Sequence, residues 1–234
     1  MIHSSVVAYA YGDVNGDNVI DMIYLTGIET TDSPLIRNIA LVIQNGATNR
    51  LYSVELKENM GYNPMLTLRD FTGEGIEDIL ISIETGGSGG IAYYYIYSFA
   101  DDILHLLLDF DEYNNQYTYD VNYRDDYKVL VRSNYNNARY LIDISLRDPD
   151  YLDEIYDNNG NLLEPIEGWV NPLSGLYPID FDSDKTYELL GVQKIAGRYN
   201  ADSLGFVQNT LKWNGNMFDL DRKLLFLVQK INFI

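Results

Sequence analysis

The sequence predicts an all-β chain, built as a β-propeller of four blades with four antiparallel strands each. Three observations lead there. An acidic nine-residue loop recurs, the copies are spaced in steps near 57 residues, and the segments between turns are strand-like with no sustained helical period.

The recurring loops are Asp13-Val-Asn-Gly-Asp-Asn-Val-Ile-Asp21, Asp70-Phe-Thr-Gly-Glu-Gly-Ile-Glu-Asp78 and Asp180-Phe-Asp-Ser-Asp-Lys-Thr-Tyr-Glu188. They begin at residues 13, 70 and 180, so the first interval is 57 residues and the second, 110, is close to twice that. A fourth copy is therefore expected near residue 125. Aligning residues 119–131 on residues 12–24 finds it: Asp120 and Asn122 match Asp13 and Asn15, while Arg124 and Lys128 stand where Asp17 and Asp21 would be. Two cations in place of two carboxylates remove the metal chemistry, so no calcium is expected there.

Each unit reads as four strands, with the acidic loop between the first two. In the second unit the strands are residues 64–69, 79–83, 91–99 and 103–110, with a polar stretch over 84–90 and a turn over 100–102. The other units supply strands over 36–44 and 51–56, over 139–146, and over 204–213 and 217–228, the last two joined by Asn214-Gly-Asn216. Runs of β-branched and aromatic residues between turn residues carry these assignments. The units span about 4–58, 59–112, 113–160 and 174–230 of a single domain over 1–234, and residues 148–172, rich in Asp, Asn, Gly and Pro, are expected to form a surface excursion. A unit of this size cannot bury its apolar face alone, and ringed blades are one solution.

Each loop places oxygen-bearing side chains at its positions 1, 3, 5 and 9. Alternate residues of a tight loop can turn their oxygens to one centre, and Ca²⁺ takes six to eight oxygens at about 2.3–2.6 Å. The expected ligands of the first loop are Asp13, Asn15, Asp17 and Asp21 with the Val19 carbonyl. The second offers Asp70, Thr72, Glu74 and Asp78 with the Ile76 carbonyl, and the third Asp180, Asp182, Asp184 and Glu188 with the Thr186 carbonyl. An EF-hand needs glycine at position 6 and glutamate at position 12, whereas Gly16 and Gly73 stand at position 4 and position 12 is Tyr24, Ile81 and Gly191. Asp, Asn and Gly also cluster in ordinary turns.

The first loop with its apolar tail, residues 12–24, resembles the FG-GAP and VCBS repeats of integrin α-subunit propellers and bacterial surface proteins. That resemblance implies about three structural calcium sites held by the residues just named. Two features depart from it: four blades are visible rather than seven, so the ring closes either alone or with a second copy, and the Phe-Gly and Gly-Ala-Pro elements are absent.

Thirty-five acidic against sixteen basic residues give a formal charge of −19, which opposes binding to nucleic acid or anionic membrane. There is no cysteine, so disulfides and thiolate chemistry are unavailable. No run of eighteen apolar residues argues for membrane insertion, and the first five residues lack the character of a signal peptide. Loops of this kind suit millimolar calcium, which points to a secreted or cell-surface location.

His3 and His105 are the only histidines, His105 lying in an apolar run, and no nucleophile elbow, zincin pair or phosphate loop is present. Gly86-Gly-Ser-Gly-Gly90 reads as a flexible rim loop. Carboxylate pairs such as Asp109/Asp111, Asp148/Asp150 and Asp219/Asp221 are candidates for glycosidase acids, but their separation in space is not readable from sequence, and no catalytic residue is assigned. Of the twenty-one tyrosines, eight lie within residues 93–123; the tyrosines are expected mainly to pack between blades, with those facing outward and Trp169 and Trp213 available to stack on sugar rings. The leading expectation is a non-enzymatic, calcium-binding adhesion or protein-interaction module with a protein or glycan partner. A lectin-like carbohydrate binder is the first alternative and a hydrolase the second.

Overall fold

The computed structural model describes residues 4–87 and 89–226. The first unit is an antiparallel meander of β1 (Ser4–Gly12), β2 (Asp21–Thr30), β3 (Ser33–Gln44) and β4 (Leu51–Glu55). The second is β5 (Tyr62–Arg69), β6 (Asp78–Glu84), β7 (Ala92–Ser98) and β8 (His105–Asp109). The third has only three strands, β9 (Tyr119–Arg124), β10 (Lys128–Ser133) and β11 (Arg139–Asp143). The fourth is β12 (Glu167–Ile179), β13 (Glu188–Ala196), β14 (Ser203–Trp213) and β15 (Phe218–Phe226). The strand expected over 217–228 thus agrees with β15 as far as Phe226, and residues 227 and 228 lie outside the described residues.

Burial explains why these segments are strands. Along β2, Asp21, Ile23, Leu25 and Gly27 are buried and alternate with half-buried neighbours, the period of a strand with one face on a core. In β6, Ile79, Leu80, Ile81 and Ile83 are all buried, so this central strand is covered on both faces.

The chain is all-β as expected, but its strands form three sheets, and no closed ring of four blades occurs among the described residues. The cause is a strand pairing that crosses a unit boundary. The start of β12 pairs with β9 through Glu167–Asn122 and Gly168–Val121, which fuses the third and fourth units into one seven-stranded sheet in the order β11-β10-β9-β12-β13-β14-β15. That sheet curls into a half-barrel. Across its mouth the Tyr135 hydroxyl donates to Asp219 on β15 at 2.8 Å. The first unit packs on the second through β1 and β5, and the second packs on the fourth through β7 and β12.

Two cores follow from this arrangement. One joins the first, second and fourth units, with Val14, Ile23, Phe71, Ile81, Tyr95, Leu189 and Phe218 among its members. The other lies inside the half-barrel around Val121, Val129, Val131, Ile195 and Val207. Most of the crowded tyrosines are core residues: Tyr94, Tyr95, Tyr97, Tyr113, Tyr117 and Tyr123 are buried.

The segment over 148–172 is mostly exposed, but it is anchored in the core by a few residues. Asp148 caps α2 (Pro149–Asp153) by accepting from the Asp150 amide at 3.0 Å. The apolar residues that follow, Leu152, Ile155 and Tyr156, are buried in the second core. The buried Asp202 carboxylate ties this segment down, accepting from Arg147 at 2.7 Å, from the Tyr151 hydroxyl at 2.7 Å and from the Arg198 amide at 3.0 Å. A second helix, α1 (Phe110–Gln116), is capped by Asp109, which accepts from the Asp111 amide at 2.9 Å. Both helices are too short to print a helical period on the sequence.

Phe71 is fully buried and meets the ring of Phe218 edge-on, at 6.2 Å between centroids, where the second unit joins the fourth. Truncating it opens a cavity at that junction, so Phe71→Ala is expected to lower stability by about 3–5 kcal/mol. Urea unfolding checks this; a loss below about 1 kcal/mol would place Phe71 outside the core.

Candidate metal centre

The three acidic loops join β1 to β2, β5 to β6 and β12 to β13, and they share one local fold built from their own carboxylates. Position 1 caps the loop from within. Asp13 accepts from the Gly16 and Asn18 amides, both at 2.8 Å, and Asp70 from the Gly73 and Gly75 amides at 2.7 and 2.8 Å. Asp180 accepts from the Asp184 and Lys185 amides, both at 3.1 Å. Positions 4 and 6 take the left-handed conformation in every copy: Gly16 and Asn18, Gly73 and Gly75, then Ser183 and Lys185. Glycine and asparagine reach it at low cost, whereas the third loop puts two side chains there that disfavour it.

Position 9 closes the neck. Asp21 and Asp78 accept from the Val14 and Phe71 amides at 3.1 and 3.0 Å, and Glu188 from the Phe181 amide at 3.2 Å. All three carboxylates are buried. Burial raises the pKa of Asp21. It pushes Asp78 up to about 6, against the pull of the Phe71 and Thr72 amides, and the charge of Asp70 adds to the rise.

The expected ligands are distributed unevenly. Among the described residues, one set of three acidic side chains comes together, Asp180, Asp182 and Asp184, with oxygens within 4.8 Å of one another. In the first loop, Asn15 turns its amide to Asp17 at 3.2 Å and to Asp102 at 3.1 Å, while Asp17 caps the Val19 amide at 2.8 Å. In the second, the Thr72 hydroxyl lies 3.5 Å from Asp70, and Glu74 is exposed. Ile76 and Thr186, whose carbonyls were expected to face a metal, present their side chains to Gly16 and Gly73 of the preceding loop. The copy aligned at residues 119–131 is not a loop at all. Asp120 and Asn122 lie within β9, a tight turn leads directly to β10, and Asp120 pairs with Arg132 at 2.5 Å.

The loops also bond to one another by a repeated contact. The Glu77 amide donates to the Asp13 carbonyl at 3.4 Å, and the Tyr187 amide to the Asp70 carbonyl at 2.8 Å. In both cases position 8 of one loop meets position 1 of the loop before it. The residue preceding each of the first two loops joins the same contact: Gly12 faces the Glu77 carboxylate and Leu68 so closely that a Cβ would clash, and the Arg69 guanidinium lies 5.2 Å from the Tyr187 ring centroid.

Two residues at these sites escaped the sequence reading. Lys212 on β14 bonds Glu188 at 2.7 Å and Asp182 at 3.4 Å, and Glu188 holds its ammonium above the ordinary lysine pKa. Asp102 of the second unit accepts from Asn15 and from Asn45, the latter at 2.9 Å, and those two amides lower its pKa. Neither has a local signal, since each is brought to its loop by strand register or unit packing.

The other candidates have structural partners. Asp109 and Asp111 flank Lys57 at 3.6 and 2.5 Å, Asp148 caps α2, and Asp219 accepts from Tyr135. His105 is an exposed residue at the start of β8, and His3 lies outside the described residues. Residues 86–90 lie at the end of β6 away from the acidic loops, and Ser88 is outside the described residues. Trp213 ends β14 beside the 214–216 turn and packs edge-on against Phe218 at 5.2 Å, while Trp169 donates to Asn171 at 2.7 Å.

These features define an all-β protein of stacked strand-loop-strand units. A family model described as the YybI C-terminal domain matches residues 117–226, which coincide with the seven-stranded half-barrel and the turn before it. The chain is 49% identical over 219 residues to the uncharacterized protein YybI of Bacillus subtilis (strain 168), an alignment covering 94% of this chain and 84% of that relative. The chain belongs to the YybI family. The resemblance to FG-GAP and VCBS repeats is thereby overturned. It rested on nine residues and an apolar tail, and a loop closed by its own aspartates between two strands favours that composition in any fold.

The raised pKa of Asp78 sets an expected pH dependence. An unfolded aspartate titrates near 3.9. Between about pH 4 and about 6 the folded chain therefore holds the extra proton, so this residue's contribution to stability falls as pH rises through that window. In EGTA, Asp78→Asn is expected to flatten that part of a melting-temperature profile, and an unchanged slope would assign it to other groups.

Proposed function

We propose that this chain is a non-enzymatic calcium-binding module whose acidic loops are braced by the metal and present an interaction surface. The observation that carries the reading is the convergence of Asp180, Asp182 and Asp184. Oxygens separated by up to 4.8 Å are spaced as ligands on opposite sides of one Ca²⁺ would be, at about 2.4 Å each. The loop backbone already spends one lone pair on each Asp180 oxygen, and carboxylate oxygens retain further acceptor capacity for a metal. The shared fold of the 13–21 and 70–78 loops extends the reading to them, with the Val19 and Ile76 carbonyls and water completing their shells.

Calcium of this weak-site kind fits an extracellular setting, where its concentration is millimolar. No helix among the described residues is long and apolar enough to cross a membrane. The partner class that suits an acidic, aromatic surface is a protein or a glycan rather than nucleic acid.

Thermal unfolding in EGTA and in millimolar CaCl₂, with calorimetric stoichiometry, tests the proposal. Binding to the folded form alone raises the melting temperature, and Asp182→Asn is expected to reduce the rise. Lys212→Gln should do the opposite. It removes an ammonium 3.4 Å from Asp182, so calcium is expected to bind more tightly to the 180–188 loop and its thermal shift to grow. No shift and no heat with any of the three chains would remove calcium from the account.

A further inference from the structure

The contact that repeats between loops has two unfilled ends. Position 2 is buried in the first two loops and open in the last: Val14 and Phe71 are 0% exposed, Phe71 beneath Phe218 of the fourth unit, whereas Phe181 is 48% exposed. The residue two places before the second loop lies against the preceding unit, beside Gly12. Leu68 there is 7% exposed beneath the first unit, whereas Tyr11 in the first unit is 60% exposed. Positions 7 and 8 follow the same rule. Ile76 and Glu77 face the first loop and Thr186 and Tyr187 the second, while Val19 and Ile20, with no loop before them, are 40% and 61% exposed. One end of the stack therefore exposes Tyr11, Val19 and Ile20 beside Tyr9, and the other exposes Phe181 beside the half-buried Ile179.

We propose that these two ends bind each other, so that a second copy of this chain continues the stack head to tail. The occupant is specified by the interface already present twice inside the molecule. Repeating it once more sets the Ile20 amide on the Asp180 carbonyl of the other copy, as the Glu77 amide meets Asp13 and the Tyr187 amide meets Asp70. It also sets Ile179 against Ile20, where Arg69 lies against Tyr187, and it covers Phe181, where Phe218 covers Phe71. Isolated exposed apolar residues are common, but a matched pair of faces at the two ends of a repeat is an interface signature. The contact is heterologous, joining different patches on the two copies, so it propagates or closes into a ring rather than stopping at a two-fold dimer. A formal charge of −19 per chain opposes it, and salt or divalent cation weakens that opposition. It does not depend on whether the loops hold calcium.

Sedimentation velocity over a wide range of protein concentration, in high salt with and without CaCl₂, tests it. The expected result is a sedimentation coefficient that rises with concentration in the wild-type chain, and loss of that rise in both Tyr11→Asp and Phe181→Asp. Each variant keeps one intact end, so mixing the two is expected to restore association, limited to pairs. Both side chains are exposed, and an unchanged melting temperature confirms that the variants fold. A wild-type chain that stays monomeric in every buffer overturns the proposal, as does association that survives either substitution or a mixture that stays monomeric.

Discussion

The structure depends on a carboxylate that folds the loop it begins. Asp13, Asp70 and Asp180 each take two amides of their own loop, at distances of 2.7 to 3.1 Å. A nine-residue connection between strands leaves several backbone amides without partners, and an aspartate at its first position satisfies two of them at once. The same turn fixes which way the carbonyl of that aspartate points. The next loop can then donate to it, and a local hydrogen-bonding solution becomes a contact between units.

Charge is the cost of this arrangement. Closing the neck with a buried acid at position 9 takes Asp21, Asp78 and Glu188 out of water, and the copies differ in how that is met. Glu188 has Lys212, an ion pair across the sheet. Asp21 has two amides, from Val14 and Gly46, and Asp78 has two, from Phe71 and Thr72, and both of these carboxyls have raised pKa values. The loop with its own ammonium is also the loop whose three outer aspartates converge. The 180–188 loop therefore combines a fixed ammonium at its neck with three converging aspartates at its tip.

Much of this was legible in local sequence and little of it at a distance. The strands flanking each loop were readable because β-branched and aromatic runs are bounded by turn residues, as with the expected strand over 79–83 and the observed Asp78–Glu84. The repeat of the loop was readable because the aspartate cap and the left-handed positions 4 and 6 impose a composition. The order of the units was not, because the pairing of β9 with β12 rests on two residue pairs that carry no pattern of their own. Lys212 and Asp102 were invisible for the same reason, being placed by register and packing rather than spacing. Within residues 148–172, Leu152, Ile155 and Tyr156 are core residues that stand singly or in a pair among polar neighbours, so the composition of the segment did not mark them.

Stacking of the loops, rather than closure of a ring, is what joins the first, second and fourth units at their acidic ends. Amide hydrogen exchange resolved at single residues measures it directly. Glu77 and Tyr187 lie outside regular strands, yet their amides are bonded to Asp13 and Asp70 of the neighbouring loops. Both are expected to exchange as slowly as amides of β6 and β13, in EGTA as well as in calcium. Exchange at the rate of the solvent-exposed turns would contradict the stacked arrangement, leaving three independent loops that share a composition but not a contact.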